Sequence, residues 1–141
     1  MKPGLKKGQT AELDFVVTQA MFAQFDGKVV HELLSTSALL HQMEFAARKT
    51  ILPYLENHEE GMGAHTDVHH MMLTPEGVCV HVKAEVTEIR DNKVECEVEA
   101  SNFRGKVAKG TIVQAIVDRA WLDKKMKEME LVEGIIRETR S

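Results

Sequence analysis

Residues 34–55, LSTSALLHQMEFAARKTILPYL, spell out one buried helix with a marked start and stop. Leu39, Leu40, Met43, Ala46, Ala47 and Ile51 recur three and four residues apart, so they line one side of a 3.6-residue turn. Ser35, Thr36 and Ser37 all suit an N-cap, because a hydroxyl accepts from the orphan amides of a first turn. Pro53 ends the run, since the residue before a proline is pushed out of helical geometry. The helix is expected from about Ser37 to Leu52, with Ala46 and Ala47 letting another element approach closely.

Working outward, the rest of the chain has the period of strands. Residues 9–17 alternate, with Ala11, Leu13, Phe15 and Val17 opposite Glu12 and Asp14. Residues 18–35 are mixed and read as a short helix and loop around an Asp26-Gly27 turn. After a polar loop at 55–61, four strand-like segments follow at 62–73, 78–90, 94–100 and 106–117. The second sets Val78, Val80, Val82, Ala84 and Val86 against Cys79, His81, Lys83, Glu85 and Thr87. It turns at Asp91-Asn92 into the third, where Val94, Cys96, Val98 and Ala100 oppose three glutamates. The fourth is apolar on both faces in its second half, as an interior strand would be. A C-terminal helix carrying Leu122, Met126, Met129 and Val132 follows Trp121, weakened near its end by Gly134. The expectation is an α+β fold, a long helix on a mostly antiparallel sheet of about five strands, as one domain over residues 1–141. Such an open sheet leaves edges to cover, and pairing with a second copy is an economical cover.

Composition narrows the function. At 141 residues the chain can bury a core unaided, and 43% hydrophobic with 28% charged residues is ordinary for a globular protein. A net charge of −4 argues against a nucleic-acid partner. Arg104, Lys106 and Lys109 are the one compact basic group of the strand-rich half. They could hold a small phosphorylated ligand, though a solvated strand edge is the plainer reading. Cys79 and Cys96 are too few for a disulfide framework and read as reduced, buried or half-buried thiols in apolar strands. The first ten residues contain no apolar stretch resembling a signal peptide, and no run is long enough for a membrane span. A soluble, cytoplasmic protein without membrane contact is expected.

Two ionisable residues stand on faces that should turn inward. In the register of 62–73, Ala64, Thr66, Val68, His70 and Met72 share one face, and Glu44 sits between Met43 and Phe45 in the core helix. Buried ionisable groups are costly unless paired, so the two suggest each other as partners. A carboxylate beside an imidazole orients it as a base, and a base could activate the Thr36 hydroxyl. Helix-start amides would favour negative charge developing nearby. Taken singly, Thr36 reads first as an N-cap, His70 as a satisfied structural histidine and Glu44 as an ion-pair partner. On one helix Thr36 and Glu44 would lie ~12 Å apart along the axis. Either Thr36 precedes the first turn and His70 bridges, or two subunits share the site. His65, Asp67 and His69 form a rival His-x-Asp-x-His constellation on one strand face, with His41 near Glu44. No fourth ligand is identifiable, and no metal or other cofactor is expected. Phosphate loops, Cys-x-x-Cys pairs and nucleophile elbows are missing from the sequence.

The helix sequence continues into Gly61-Met62-Gly63, Val68-His69-His70 and Leu73-Thr74-Pro75-Glu76-Gly77. Together these resemble the fluoroacetyl-CoA thioesterase-like branch of the hotdog superfamily. The matching positions are Thr36, Met43-Glu44-Phe45-Ala46, Pro53-Tyr54-Leu55, His70 and Thr74-Pro75-Glu76-Gly77, with a weaker likeness through Gly110-Thr111. The resemblance implies a hotdog fold and a homodimer with sites at its interface, with further pairing into a tetramer left open. It also implies hydrolysis of an acyl-CoA by Thr36, His70 and Glu44. His70 would be the base, Glu44 its support, and Thr36 the nucleophile or a positioner of water. Gly63, Gln114 and Arg104 are the candidate substrate contacts. Gln114 stands where the fluoroacetyl-specific enzyme has an arginine, and the segment between Val17 and Thr36 is several residues shorter than its lid. A short or medium acyl-CoA is therefore expected. A non-catalytic acyl-CoA or small-ligand binding protein on the same fold is the alternative, and a metal enzyme built on His65, Asp67 and His69 the third.

Overall fold

The central helix α1 runs Thr36–Ile51, one residue earlier than its sequence pattern suggests. Ser35 is the N-cap, its hydroxyl accepting from the Ala38 amide at 3.1 Å. The chain tightens through a 3₁₀ turn at Leu52–Tyr54, where Pro53 forbids another α turn. Leu39, Met43, Ala46, Ala47 and Ile51 are wholly buried. Each of the larger ones contributes about 2 kcal/mol by leaving water. The computed structural model describes residues 1–140.

Around α1 curl β1 (Thr10–Val16), β4 (Glu59–His70), β5 (Cys79–Arg90), β6 (Lys93–Asn102) and β7 (Gly105–Asp118), in the order β1-β5-β6-β7-β4. All four pairings are antiparallel. The alternation seen in sequence is the burial pattern observed. Val80, Val82, Ala84 and Val86 of β5, with Val94, Cys96, Val98 and Ala100 of β6, face α1 and form the centre of the core. β7 is interior, as its two apolar faces suggest, while β1 and β4 are the edges.

Four expectations need correction. Residues 18–35 hold not a helix and loop but a 3₁₀ turn at Gln19–Met21 and a hairpin of β2 (Phe22–Phe25) and β3 (Lys28–Leu34). Asp26 and Gly27 both take positive φ, 52° and 74°, as a two-residue hairpin turn requires. β4 begins at Glu59, inside the expected loop, and ends at His70 rather than residue 73. The second helix, α2 (Arg119–Arg140), begins before Trp121 rather than after it and continues through Gly134. Cys96 is buried, but Cys79 at the start of β5 is exposed.

One irregularity of β4 governs the site. Gly63 pairs with Gln114 and His65 with Val113, so Ala64 is an extra residue bulged out of the ladder. Strand faces alternate with period two, so residues 63 and 70 would otherwise point to opposite sides. The bulge brings Gly63 and His70 to the same face, the one covered by α1. Ala64 itself leaves the inward series in which the sequence placed it.

Candidate active site

Thr36 is the first residue of α1, and Ser35 performs the capping. The Thr36 hydroxyl is thereby free to meet His70, the last residue of β4, with Oγ1 2.9 Å from Nδ1. For Nδ1 to accept from that hydroxyl, the ring must carry its proton on Nε2, which is buried and has no hydrogen-bond partner. Burial is the main cause that pushes the His70 pKa below the usual imidazole range. The nearby Met72 backbone opposes, and His31 pushes the same way as burial by charge. The ring is thus held neutral, the form that takes up a proton.

A cavity of about 660 Å³ opens beside Thr36. The β2–β3 hairpin supplies much of its wall through Phe22, Phe25, Val30 and His31, and the α1 start supplies Ser37 and Ala38. The amides of the first turn, at the positive end of the helix, point toward this end of α1.

Glu44 lies elsewhere. It is two turns along α1 and lines a second cavity of about 360 Å³ with His41, Phe45, Arg48, Gly61, Gly63 and Gln114. Its carboxylate lies over Gly63, with Oε1 3.3 Å from where a Cβ on that residue would stand. Gln114, 5% exposed, donates from Nε2 to the Glu44 carbonyl at 3.4 Å. Arg48 donates to the Gly61 carbonyl at 3.2 Å and to Glu60 Oε1 at 2.7 Å, which holds the Glu60 carboxyl below its usual range.

Within one chain, then, Thr36 and His70 are in contact, whereas the expected pairing of His70 with Glu44 is not made. Since Thr36 belongs to the helix proper, a bridge by His70 between the two is ruled out. Gly63 and Gln114 do gather around Glu44. Arg104 does not join them: it is exposed in the β6–β7 turn. Its companions Lys106 and Lys109 face Glu99 and Glu97 across the ladder at 3.1 and 3.9 Å, as on a solvated strand surface. His65, Asp67 and His69 are exposed on the outer face of β4. Among the described residues no group of three or more His, Cys, Asp or Glu is arranged to hold a metal ion. No described helix is long and apolar enough to cross a membrane. His31 and Arg48 were not singled out in the sequence. His31 carries no local signal there, while Arg48 stands four residues after Glu44, on the same helix face.

Comparison with known proteins gives this geometry a context. The profile of the family described as fluoroacetyl-CoA-specific thioesterase matches residues 17–120. The fluoroacetyl-CoA thioesterase of Streptantibioticus cattleyicolor is 27% identical over 139 residues, covering 91% of this chain and 96% of that one. A crystal structure of a Thermus thermophilus hypothetical protein, a thioesterase superfamily member, superposes with a TM-score of 0.90 at 30% identity, over 94% of this chain and 98% of that chain. A point mutant of the fluoroacetyl-CoA-specific thioesterase gives 0.84 at 25% identity, over 91% and 99%. With five antiparallel strands wrapped on a long helix, the chain is a hotdog-fold thioester hydrolase belonging to the fluoroacetyl-CoA-specific thioesterase family.

Proposed function

We propose that the chain, as one domain over residues 1–141, hydrolyses a short or medium acyl-CoA to the free acid and CoA in a homodimer. Thr36, His70 and Glu44 carry the reaction in this reading. The observation that carries it is the 2.9 Å contact between Thr36 Oγ1 and Nδ1 of a histidine held neutral. Thr36, or a water held by it, attacks the thioester carbonyl as His70 Nδ1 takes the proton. The oxyanion forms beside the first-turn amides of α1, where the helix end favours negative charge. The CoA sulfur leaves with the proton from His70. If Thr36 has attacked, water then cleaves the acyl-threonine by the same route in reverse.

Glu44 enters through the partner. β4 is an edge strand, and two copies of it can pair antiparallel about a two-fold axis. An axis between Thr66 and Asp67 sets Gly63 of one protomer opposite the partner's His70. The Glu44 cavity then adjoins the partner's Thr36 cavity, and Glu44 supports the chemistry from across the interface. Gly63 and Gln114 shape the path to the thioester, and Arg104 would reach the phosphates of CoA. The cavity by Thr36, far larger than a two-carbon acyl group needs and walled by Phe22, Phe25 and Val30, supports a larger apolar acyl chain.

The test is release of free thiol from a panel of acyl-CoAs. His70→Ala and Glu44→Ala should each lower kcat at least ~100-fold, the scale of general acid–base help. Thr36→Ser should retain most activity and Thr36→Ala little. Full activity in both the His70 and Glu44 variants would end the site assignment.

A further inference from the structure

The family's profile stops at residue 120, at the root of α2. That root is pinned firmly. The Arg119 amide donates to the His58 carbonyl at 2.7 Å, its guanidinium reaches Glu60 at 3.1 Å, and Ala120 N meets Asp118 Oδ1 at 2.8 Å. Beyond Leu122 every described side chain of the helix is exposed. A solitary helix of 22 residues with an apolar stripe gains its stability from packing, and past the half-buried Leu122 the stripe of this one is exposed.

The stripe is specific in form. Leu122, Met126, Met129, Val132 and Ile136 fall within an arc of about 120° at 100° per residue. Their spacing, four, three, three and four, reads the same in both directions about Met129, which is 71% exposed. Lys125 and Glu133 lie on the same arc, equally far on either side of that centre. Charge is polarised along the helix as well: Arg119, Lys124, Lys125 and Lys127 outnumber Asp123 and Glu128 in the first half, while Glu130, Glu133 and Glu138 outnumber Arg137 and Arg140 in the second. The present partners of Lys125 and Glu133 are exposed pairs on the same helix, to Glu128 and Arg137, of a kind worth little.

We propose that α2 is a self-association element, pairing antiparallel with α2 of a second copy of this chain about a two-fold axis at Met129. Leu122 then packs on the partner's Ile136, Met126 on the partner's Val132, and Lys125 faces the partner's Glu133. A parallel pair would instead stack Lys125 on Lys125 and Glu133 on Glu133. The pairing is independent of the acyl group hydrolysed and of Thr36, His70 and Glu44.

A chain carrying Leu122→Cys and Ile136→Cys, with the exposed Cys79 changed to Ser, tests the geometry. The two new cysteines are too far apart along one helix to join within a chain. Mild oxidation should give a covalent dimer in which mass spectrometry finds 122–136 links at least tenfold over 122–122. Links of 122–122 and 136–136, or no covalent dimer, would overturn the proposal. In the unoxidised protein, Lys125→Glu should weaken association measured by sedimentation about tenfold, and adding Glu133→Lys should restore it. An unchanged mass in Met129→Glu would also overturn it, as would burial of α2 on anionic phospholipid vesicles in place of self-association. Leu122 is half-buried and the other positions are exposed, so unchanged thermal melting below the association range shows that the body remains folded.

Discussion

The five-stranded sheet and the β2–β3 hairpin use the same ladder of backbone hydrogen bonds, yet they are held in different ways. In β5 four alternate side chains are completely buried against α1. In β3 only Leu34, the last of seven residues, is buried, and the ladder to β2 slips register twice within four pairs. The sheet is fixed by its face; the hairpin is fixed by its Asp26-Gly27 turn and by its attachment at Leu34. A segment with little buried surface opens at low cost, which suits a wall over an acyl cavity better than a core strand would.

The comparison can be broken most severely at Gly110. A Cβ there would stand 2.1 Å from the Asp67 carbonyl oxygen, so β4 and β7 must separate to admit it. Gly110→Ala should cost about 3 kcal/mol in urea unfolding, the upper range of overpacking, and should cut activity by moving His70. A loss below ~0.5 kcal/mol would mean that the sheet yields as easily as the hairpin, a threshold set by ordinary surface changes. Gly27→Ala meets no atom within 4 Å, so only its left-handed backbone objects. It should cost ~1 kcal/mol, the penalty of that conformation for an L-residue. Its larger effect should fall on KM for bulky acyl-CoAs, because the turn positions Phe25 and Val30. An unchanged acyl preference would separate the hairpin from the cavity.

The smallest effect is expected at His31, whose charge reaches His70 from the hairpin side. Neutral His70 is the base, so activity falls as pH drops through its lowered pKa, and the acidic limb of the rate profile lies below the usual imidazole range. His31→Asn should move that limb slightly upward. The native ring binds fewer protons than the unfolded one between the lowered and the ordinary value, so stability rises with pH across that interval. A limb that stays in place would remove His31 from the site's electrostatics.

The same contrast explains what could be read from the sequence. Val80 to Val86, Val94 to Ala100 and Leu39 to Ile51 announced themselves because each series buries one face and the period records it. Between the buried Phe22 and Leu34, residues 23–33 bury almost nothing, so no period arose, and Asp26-Gly27 signalled a turn without revealing the strands beside it. For the site, His70 and Glu44 were legible as polar residues on inward faces. Facing inward does not fix position along a helix: Glu44 lines one cavity, while His70 meets Thr36 at the edge of another. Thr36 was legible as one of three capping candidates. That Ser35 would take the cap, releasing Thr36 for His70, depends on a single residue of helix register that three adjacent hydroxyls cannot set.

The extra residue at Ala64 makes β4 a counted segment. Seven residues separate Gly63 from His70, an odd number, and both reach α1 because one residue between them is spent outside the ladder. Loss of a single ladder residue there, with the bulge retained, would turn either the glycine floor beneath Glu44 or the imidazole out toward solvent. Loss of Ala64 itself would leave both facing α1 in an unbulged strand. Loss of two residues would restore the parity of the faces but shorten the distance between them. Length in this stretch is therefore as much a part of the protein's chemistry as the identity of His70.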